Sequence, residues 1–190
     1  MSKKEQDIKS VLKVAGWYEG RSLKSKIENT LVYQILPKKV QEFYCEFGDL
    51  TIHAENKIET MIINTTHFND QKVFDYHSSL IYKIQDEIDL SKSEDLYYYS
   101  TLVGTHLYPI GRLIEHNTLL MDENGNFYII DFIPQLIWVS NNTFDALSII
   151  IFGLGRFGIF NEHNMKWMFA KDEELLYNPP INPLLTENPW

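Results

Sequence analysis

The chain has 190 residues, 44% of them hydrophobic, with 11 Phe, 11 Tyr and 4 Trp, which excludes a disordered polypeptide and suffices for one packed domain without disulfides or a structural metal. Seventeen basic against 26 acidic residues give a net charge of −9, which excludes a surface that binds nucleic acid by neutralising phosphates. A single cysteine, Cys45, excludes an intrachain disulfide framework and fits a reducing compartment.

The charge is uneven. Residues 1–50 carry nine Lys/Arg against seven Asp/Glu, residues 51–100 four against nine, and residues 101–190 four against ten. A cationic partner complements such a field, although solubility alone also accounts for it. No apolar run follows Lys3 and Lys4, and no window approaches the roughly 18 apolar residues of a membrane span. Neither a signal peptide nor a membrane contact is expected, and the cytoplasm is the expected location.

Ser2 and Glu5 are spaced as a capping box, and Ile8, Val11, Leu12 and Ala15 then share one helical face, with Gly16 as the stop. A second helical stretch covers 22–28. Pro37 opens a third, in which Val40, Phe43, Tyr44 and Phe47 repeat the spacing and Gly48 stands where a left-handed cap is usual. The β-branched runs 50–54 and 57–66 read as strands. Val73, His77, Leu80, Ile81, Ile84 and Ile88 return to helical spacing, 96–103 reads as a strand, and 119–131 as a hairpin around Asn124-Gly125. A last helix starts near Asn142 or Thr143, has Asp145 in its first turn, buries Leu147, Ile150 and Ile151, and ends at Gly153. Beyond it, the aromatic stretch 157–170 reads as a helix, and 177–190, with four of the seven prolines, as an extended packed appendage or a loose tail. Helices, then mostly sequential strands, then a helix make an α+β fold: a mainly antiparallel β-sheet with helices packed on one face. The expected organisation is a domain over 1–155 and a C-terminal extension over 156–190.

No motif asks for catalysis or a cofactor. Gly153-Leu154-Gly155-Arg156-Phe157-Gly158 matches a dinucleotide-binding pattern, but too few residues follow for the crossover helix and second strand it requires. The six histidines form no metal-binding spacing. Asp122, Asn124 and Asn126 begin like a calcium loop, yet Phe127 stands where Gly is needed and Ile133 where Glu is needed. Cys45 sits between aromatic neighbours on a helix, the setting of an inert thiol. No cofactor and no metal are expected.

One acidic stretch stands out. Asp86, Glu87 and Asp89 fall in the last turn of a helix, where the macrodipole disfavours anions, and Glu94 and Asp95 follow with only Lys92 to offset them. Such a patch docks Lys or Arg of a partner, or is simply a solvated face.

Three blocks carry a family resemblance. They are Val11-Leu12-Lys13-Val14-Ala15-Gly16-Trp17 with Gly20-Arg21, the run Val40-Gln41-Glu42-Phe43-Tyr44-Cys45-Glu46-Phe47-Gly48-Asp49-Leu50, and Tyr108-Pro109-Ile110-Gly111 through Leu119-Leu120-Met121-Asp122-Glu123-Asn124-Gly125-Asn126-Phe127-Tyr128. In this order and spacing the chain resembles the SUKH superfamily, in its third group of bacterial immunity proteins, over roughly residues 8–152. It departs from the family in having Asp49 where a second glycine is usual, and in a longer central region and an unmatched C-terminal stretch. The same blocks have ordinary physical readings, with Gly16, Gly48 and Gly125 at caps and turns, Trp17 and Phe47 in the core and Arg21 satisfying carbonyls.

The resemblance implies an α+β fold and a cytoplasmic, non-enzymatic protein that binds and neutralises one cognate toxin, often a nuclease or another nucleic-acid-modifying domain. The expected contacts are Asp86, Glu87, Asp89, Glu94 and Asp95, with Asp49, Asp122 and Glu123, around the aromatic anchors Tyr97, Tyr98 and Tyr99. Read as strand residues, the tyrosines instead alternate between core and surface, with Tyr98 the more core-like. A second reading, from the wider superfamily, is an intracellular scaffold or regulator that binds an endogenous partner. An enzyme using carboxylates or Cys45 is the third.

Overall fold

The computed structural model describes residues 3–53, 60–86, 95–113, 117–131, 133, 135–153, 155–169 and 177–185, and the side chains of 3, 4 and 82–86 are not described. Among the described residues, eight strands form one antiparallel sheet in strict chain order: β1 (Leu50–His53), β2 (Thr60–Ile63), β3 (Tyr108–Leu113), β4 (Thr118–Met121), β5 (Phe127–Ile130), β6 (Leu136–Ser140), β7 (Gly158–Asn161) and β8 (Lys166–Phe169). Helices α1 (Lys3–Val14), α2 (Lys24–Ile27), α3 (Leu31–Ile35) and α4 (Lys38–Phe47) precede it. Two more, α5 (Gln71–Asp86) and α6 (Asp95–Val103), lie between β2 and β3, and α7 (Thr143–Phe152) lies between β6 and β7. This is the α+β architecture with an antiparallel sheet that the chain order implies.

Because successive strand residues point to opposite faces, the apolar runs of β4 to β6 feed two cores. Leu119, Met121, Phe127 and Val139 join Ile8, Leu12, Trp17, Phe43, Phe47, Leu147 and Ile151 on the first face, under α1, α4 and α7. Leu120, Tyr128, Leu136 and Trp138 join Tyr97, Tyr99, Leu102 and Phe160 on the second, under α6. The sheet thus has helices on the expected face and, in addition, α6 on the other.

The first face follows the sequence closely. Ile8 and Leu12 are fully buried on α1, and the chain turns at Gly16 (φ +99°), where the Trp17 amide donates to the Leu12 carbonyl (2.9 Å). The Asn142 side chain caps α7 by accepting from the Asp145 amide (3.1 Å), and Gly153 closes it in the left-handed conformation. One cap is shifted. Gly48 has extended geometry, and the left-handed residue is Asp49 (φ +57°). Gly48 is needed for space, since a Cβ there would lie 2.5 Å from the Tyr44 carbonyl oxygen.

Two segments differ from expectation. Residues 96–103 form helix α6, not a strand: Leu96, Tyr97, Tyr99, Ser100, Thr101, Leu102 and Val103 are all buried, so neither a period of two nor a polar face marks the element. Tertiary contacts decide it. The tail's Asn182 donates its amide to the Leu102 carbonyl (2.8 Å) and its Nδ2 to the Thr101 carbonyl (2.9 Å), satisfying the helix end. The stretch 157–170, read as a helix, contains the β7–β8 hairpin, in which Gly158 and Phe160 are buried while the residues between and after them are half-exposed. That is a strand's period, interrupted by the turn Glu162-His163-Asn164-Met165. The chain order also left 104–118 and 132–141 without their strands β3 and β6. Pro109 and Gly111 disguise the first, at a shift of register facing β4, where the Tyr44 hydroxyl donates to the Pro109 carbonyl (2.9 Å). Burial on both faces disguises the second. Of the tail, 177–185 packs on the second core through Ile181 and Leu185.

Candidate partner-binding surface

The motif residues at the junction of α1, α4 and β1 are engaged internally. Trp17 stacks on Phe47 (6.5 Å between centroids), meets Phe144 edge-on (5.9 Å), and donates Nε1 to the Glu46 carboxylate (3.0 Å). The Arg21 guanidinium donates to the carbonyls of Glu46 and Gly48, which the end of α4 leaves without intrahelical partners. Asp49 accepts from the Thr65 amide (3.0 Å) and hydroxyl (2.7 Å) and pairs with Lys26. Burial pushes its carboxyl up, but Lys26 and Thr65 together hold it below the usual carboxylate range.

Asp122 is fully buried, which corrects its expected role as a contact. Its carboxylate accepts from the Asn124 amide (2.9 Å), the Asn126 amide (2.9 Å), Asn126 Nδ2 (2.7 Å) and the Tyr128 hydroxyl (3.0 Å), so it organises the β4–β5 turn and has no capacity left for a partner's cation. Glu123, the next residue, is exposed at that turn.

Helix α6 reverses the expected orientation of its tyrosines. Tyr97 and Tyr99 point into the second core, so neither is a surface anchor; Tyr98 is half-exposed and its hydroxyl donates to the Glu162 carboxylate (2.7 Å). Burial first, and then the Glu162 charge, push the Tyr98 hydroxyl well above its ordinary range, while Tyr99 is pushed up by burial and by Glu162 and Asp95. Asp95 is exposed in the first turn of α6, where the macrodipole favours an anion. Asp86 is the last residue of α5, and Glu87, Asp89 and Glu94 lie outside the described residues.

The structure brings Asp95, Tyr98 and Glu162 to one surface and leaves Asp49 and Glu123 elsewhere. Three strand spacings, about 14 Å, separate β1 from β4. Glu162 had no signal in the sequence, because it stands 64 positions from Tyr98 and reaches it only through the β7–β8 turn.

A groove of 680 Å³ opens between α1 and the edge strand β1, lined by Ser10, Val11, Val14, Ala15, Thr51 and His53 with Asp49 at one end. Cys45 is half-buried with the Tyr33 hydroxyl beside its sulfur (3.5 Å), and burial together with Cys45 pushes that hydroxyl up to about 12. Among the described residues no three His, Cys, Asp or Glu side chains come together to hold a metal ion. The Gly153–Gly158 pattern follows a helix and leads into a strand, the reverse of the dinucleotide-binding order. No helix among the described residues is long and apolar enough to cross a membrane.

Comparison with known proteins returns one family. No curated protein and no solved structure matches the chain. The family model described as SUKH-3 immunity protein matches residues 4–153, from α1 to the cap of α7, and so takes in both aromatic motif blocks, the central hairpin and well over half of the sequence. The chain belongs to the SUKH-3 immunity protein family.

Proposed function

We propose that the protein protects the cell that makes it by binding one cognate toxin domain stoichiometrically and covering or distorting its active site, with no chemistry of its own. The observation that carries this reading is the family match over residues 4–153. The net charge of −9 supports a basic toxin of the nuclease or nucleic-acid-modifying kind, because an enzyme that holds phosphates carries positive charge that an acidic protein attracts and occludes. The acidic stretch Asp86, Glu87, Asp89, Glu94 and Asp95 supplies the cation-binding contacts of this reading, with Glu162 beside Asp95 and Tyr98 as the half-exposed aromatic anchor. Its main contribution is to encounter: charges at an interface rim set the association rate and its salt dependence more than the residence time.

Co-expression with the toxin domain encoded beside the gene tests the reading. The expected result is rescue of growth and a stable 1:1 complex whose association slows as salt rises. Charge reversal of Asp86, Glu87 and Asp89 lowers the association rate and flattens its salt dependence. Absence of both complex and rescue, with a toxin shown to be active, refutes the reading.

A further inference from the structure

Helix α5 meets the body through one stripe of side chains. Val73, Phe74, His77, Leu80 and Ile81 recur at three- and four-residue spacing; His77 and Leu80 are buried and the other three half-buried, whereas Gln71, Lys72, Asp75, Tyr76 and Ser79 are exposed. Leu80 belongs to the second core, while Val73, Phe74 and Ile81 pack against the first. The side-chain hydrogen bonds of Gln71, Ser78 and Ser79 return to α5 itself, to Asp75 (2.8 Å), the Phe74 carbonyl (2.9 Å) and the Tyr76 carbonyl (2.8 Å). His77 is the one titratable member of the stripe. His106 lies close enough that a charge on His77 acts on it, and its neighbour Leu107 shares a core with Leu80. His77 Nδ1 and both ring nitrogens of His106 are buried without a hydrogen-bond partner, a costly state for polar atoms in a core. The groups beside the pair are uncharged rings: Tyr76 meets His77 edge-on (5.7 Å between centroids) and Tyr108 meets His106 edge-on (4.3 Å). Of the helices packed against α5, α3 carries Tyr33, whose hydroxyl lies against Cys45, and α6 carries exposed Asp95, Tyr98 on Glu162, and Tyr97 and Tyr99 in the second core. Asp70, just before α5, is exposed, as are Lys72 and Asp75 on it.

We propose that His77 and His106 form an acid-sensitive latch: the neutral pair keeps α5 closed, and proton uptake by the two rings stabilises a minor form in which α5 has lifted from an otherwise folded body. Burial holds His77 below its ordinary range in the closed form, and burial together with the His77 charge holds His106 at about 3. Lifting α5 returns both rings to water and to about 6.5. Opening is thus insensitive to pH above about 6.5 and grows as pH falls below it. From pH 7 to pH 5 His106 by itself raises the open fraction about 25-fold, and His77 acts in the same direction. The opening is local because the stripe of α5 is only partly buried, whereas Leu119, Leu120, Phe127 and Tyr128 of β4 and β5 are fully buried between the two cores. The latch is a property of the free protein and needs no toxin.

Amide exchange of the full-length protein at pH 7 and pH 5, each with and without low urea and corrected for the intrinsic rate at each pH, tests the latch. The expected result is that amides 75–81 of α5 are less protected than those of β4 and β5 and indifferent to low urea, as a small opening is, yet lose at least about 25-fold of their protection from pH 7 to pH 5. Replacing both rings, His77→Leu with His106→Leu, keeps apolar contact, removes the titration and abolishes that loss. Protection at 75–81 that equals that of β4 and β5 and falls with urea in step means that α5 opens only when the whole chain unfolds, which overturns the proposal. Local exchange at 75–81 with the same protection at both pH values overturns it, as does a double variant that keeps the wild-type loss. The wild-type comparison of α5 with β4 and β5 decides by itself where the double variant fails to fold.

Discussion

The two faces of the sheet bury aromatic rings with different kinds of element. On the first, α1 and α4 each have one side on the core and one in water, α7 exposes only Asp145, and caps and glycines mark where they start and stop. On the second, α6 is buried on nearly every side, β7 and β8 are four residues each, and the tail completes the packing. The first face is stacked through Trp17, Phe43, Phe47 and Phe144. The second holds the Asp122–Tyr128 hydrogen bond and buries Ser100, Thr101 and Asn182. Periodicity reports an element only when it has a boundary with water, and polar groups inside a core carry an obligation to find partners that the sequence does not display.

This contrast predicts where the molecule is most easily broken. The largest effect belongs to the first face: Phe47→Ala removes a ring packed against Trp17, Phe43 and Phe144 and costs about 3–5 kcal/mol in urea unfolding. On the second face, Asp122→Ala strands four donors at the β4–β5 turn and costs about 2–3 kcal/mol. Both faces share β4, β5 and β6, so both variants shift one cooperative transition; separate melting of the two would break the comparison.

Acid acts on two buried histidines. His77 on α5 and His106 before β3 are buried, with His77 Nδ1 and both ring nitrogens of His106 without hydrogen-bond partners. Burial lowers both, and for His106, with His77 adding repulsion, to about 3. Folded His106 stays neutral while the unfolded chain takes up a proton near pH 6.5, so its contribution is complete above pH 6.5 and is lost as pH falls towards 3. The loss from His106 between pH 7 and 5 is about 2 kcal/mol, and His106→Leu removes that part of the pH dependence, as thermal unfolding at the two pH values measures. The smallest effect returns to the first face: Asn142→Ala removes the cap of α7 and costs about 1 kcal/mol, read by the same unfolding measurement.

Much of the candidate site was hidden for the reason that hid α6. The acidic run 86–95 is visible as carboxylates in sequence, but Glu162 comes to Tyr98 of α6 only because a hairpin distant in sequence folds against that helix. Tyr97, Tyr98 and Tyr99 look interchangeable in sequence. On α6, Tyr97 and Tyr99 lie about 100° to either side of Tyr98, and the second core packs against that side, which buries both and leaves Tyr98 half-exposed.

From the sequence alone came the α+β class, the helices of the first face with their caps at Gly16, Asn142 and Gly153, the Asn124-Gly125 hairpin and the family. These follow from local rules: spacing on an amphipathic helix, side-chain capping and turn chemistry act within a few residues. Tertiary structure alone decided that 95–103 is a helix, that β3 and β6 to β8 extend the sheet, and that Asp122 is internal. Each of those depends on partners dozens of residues away, where burial and hydrogen-bond satisfaction outweigh local propensity.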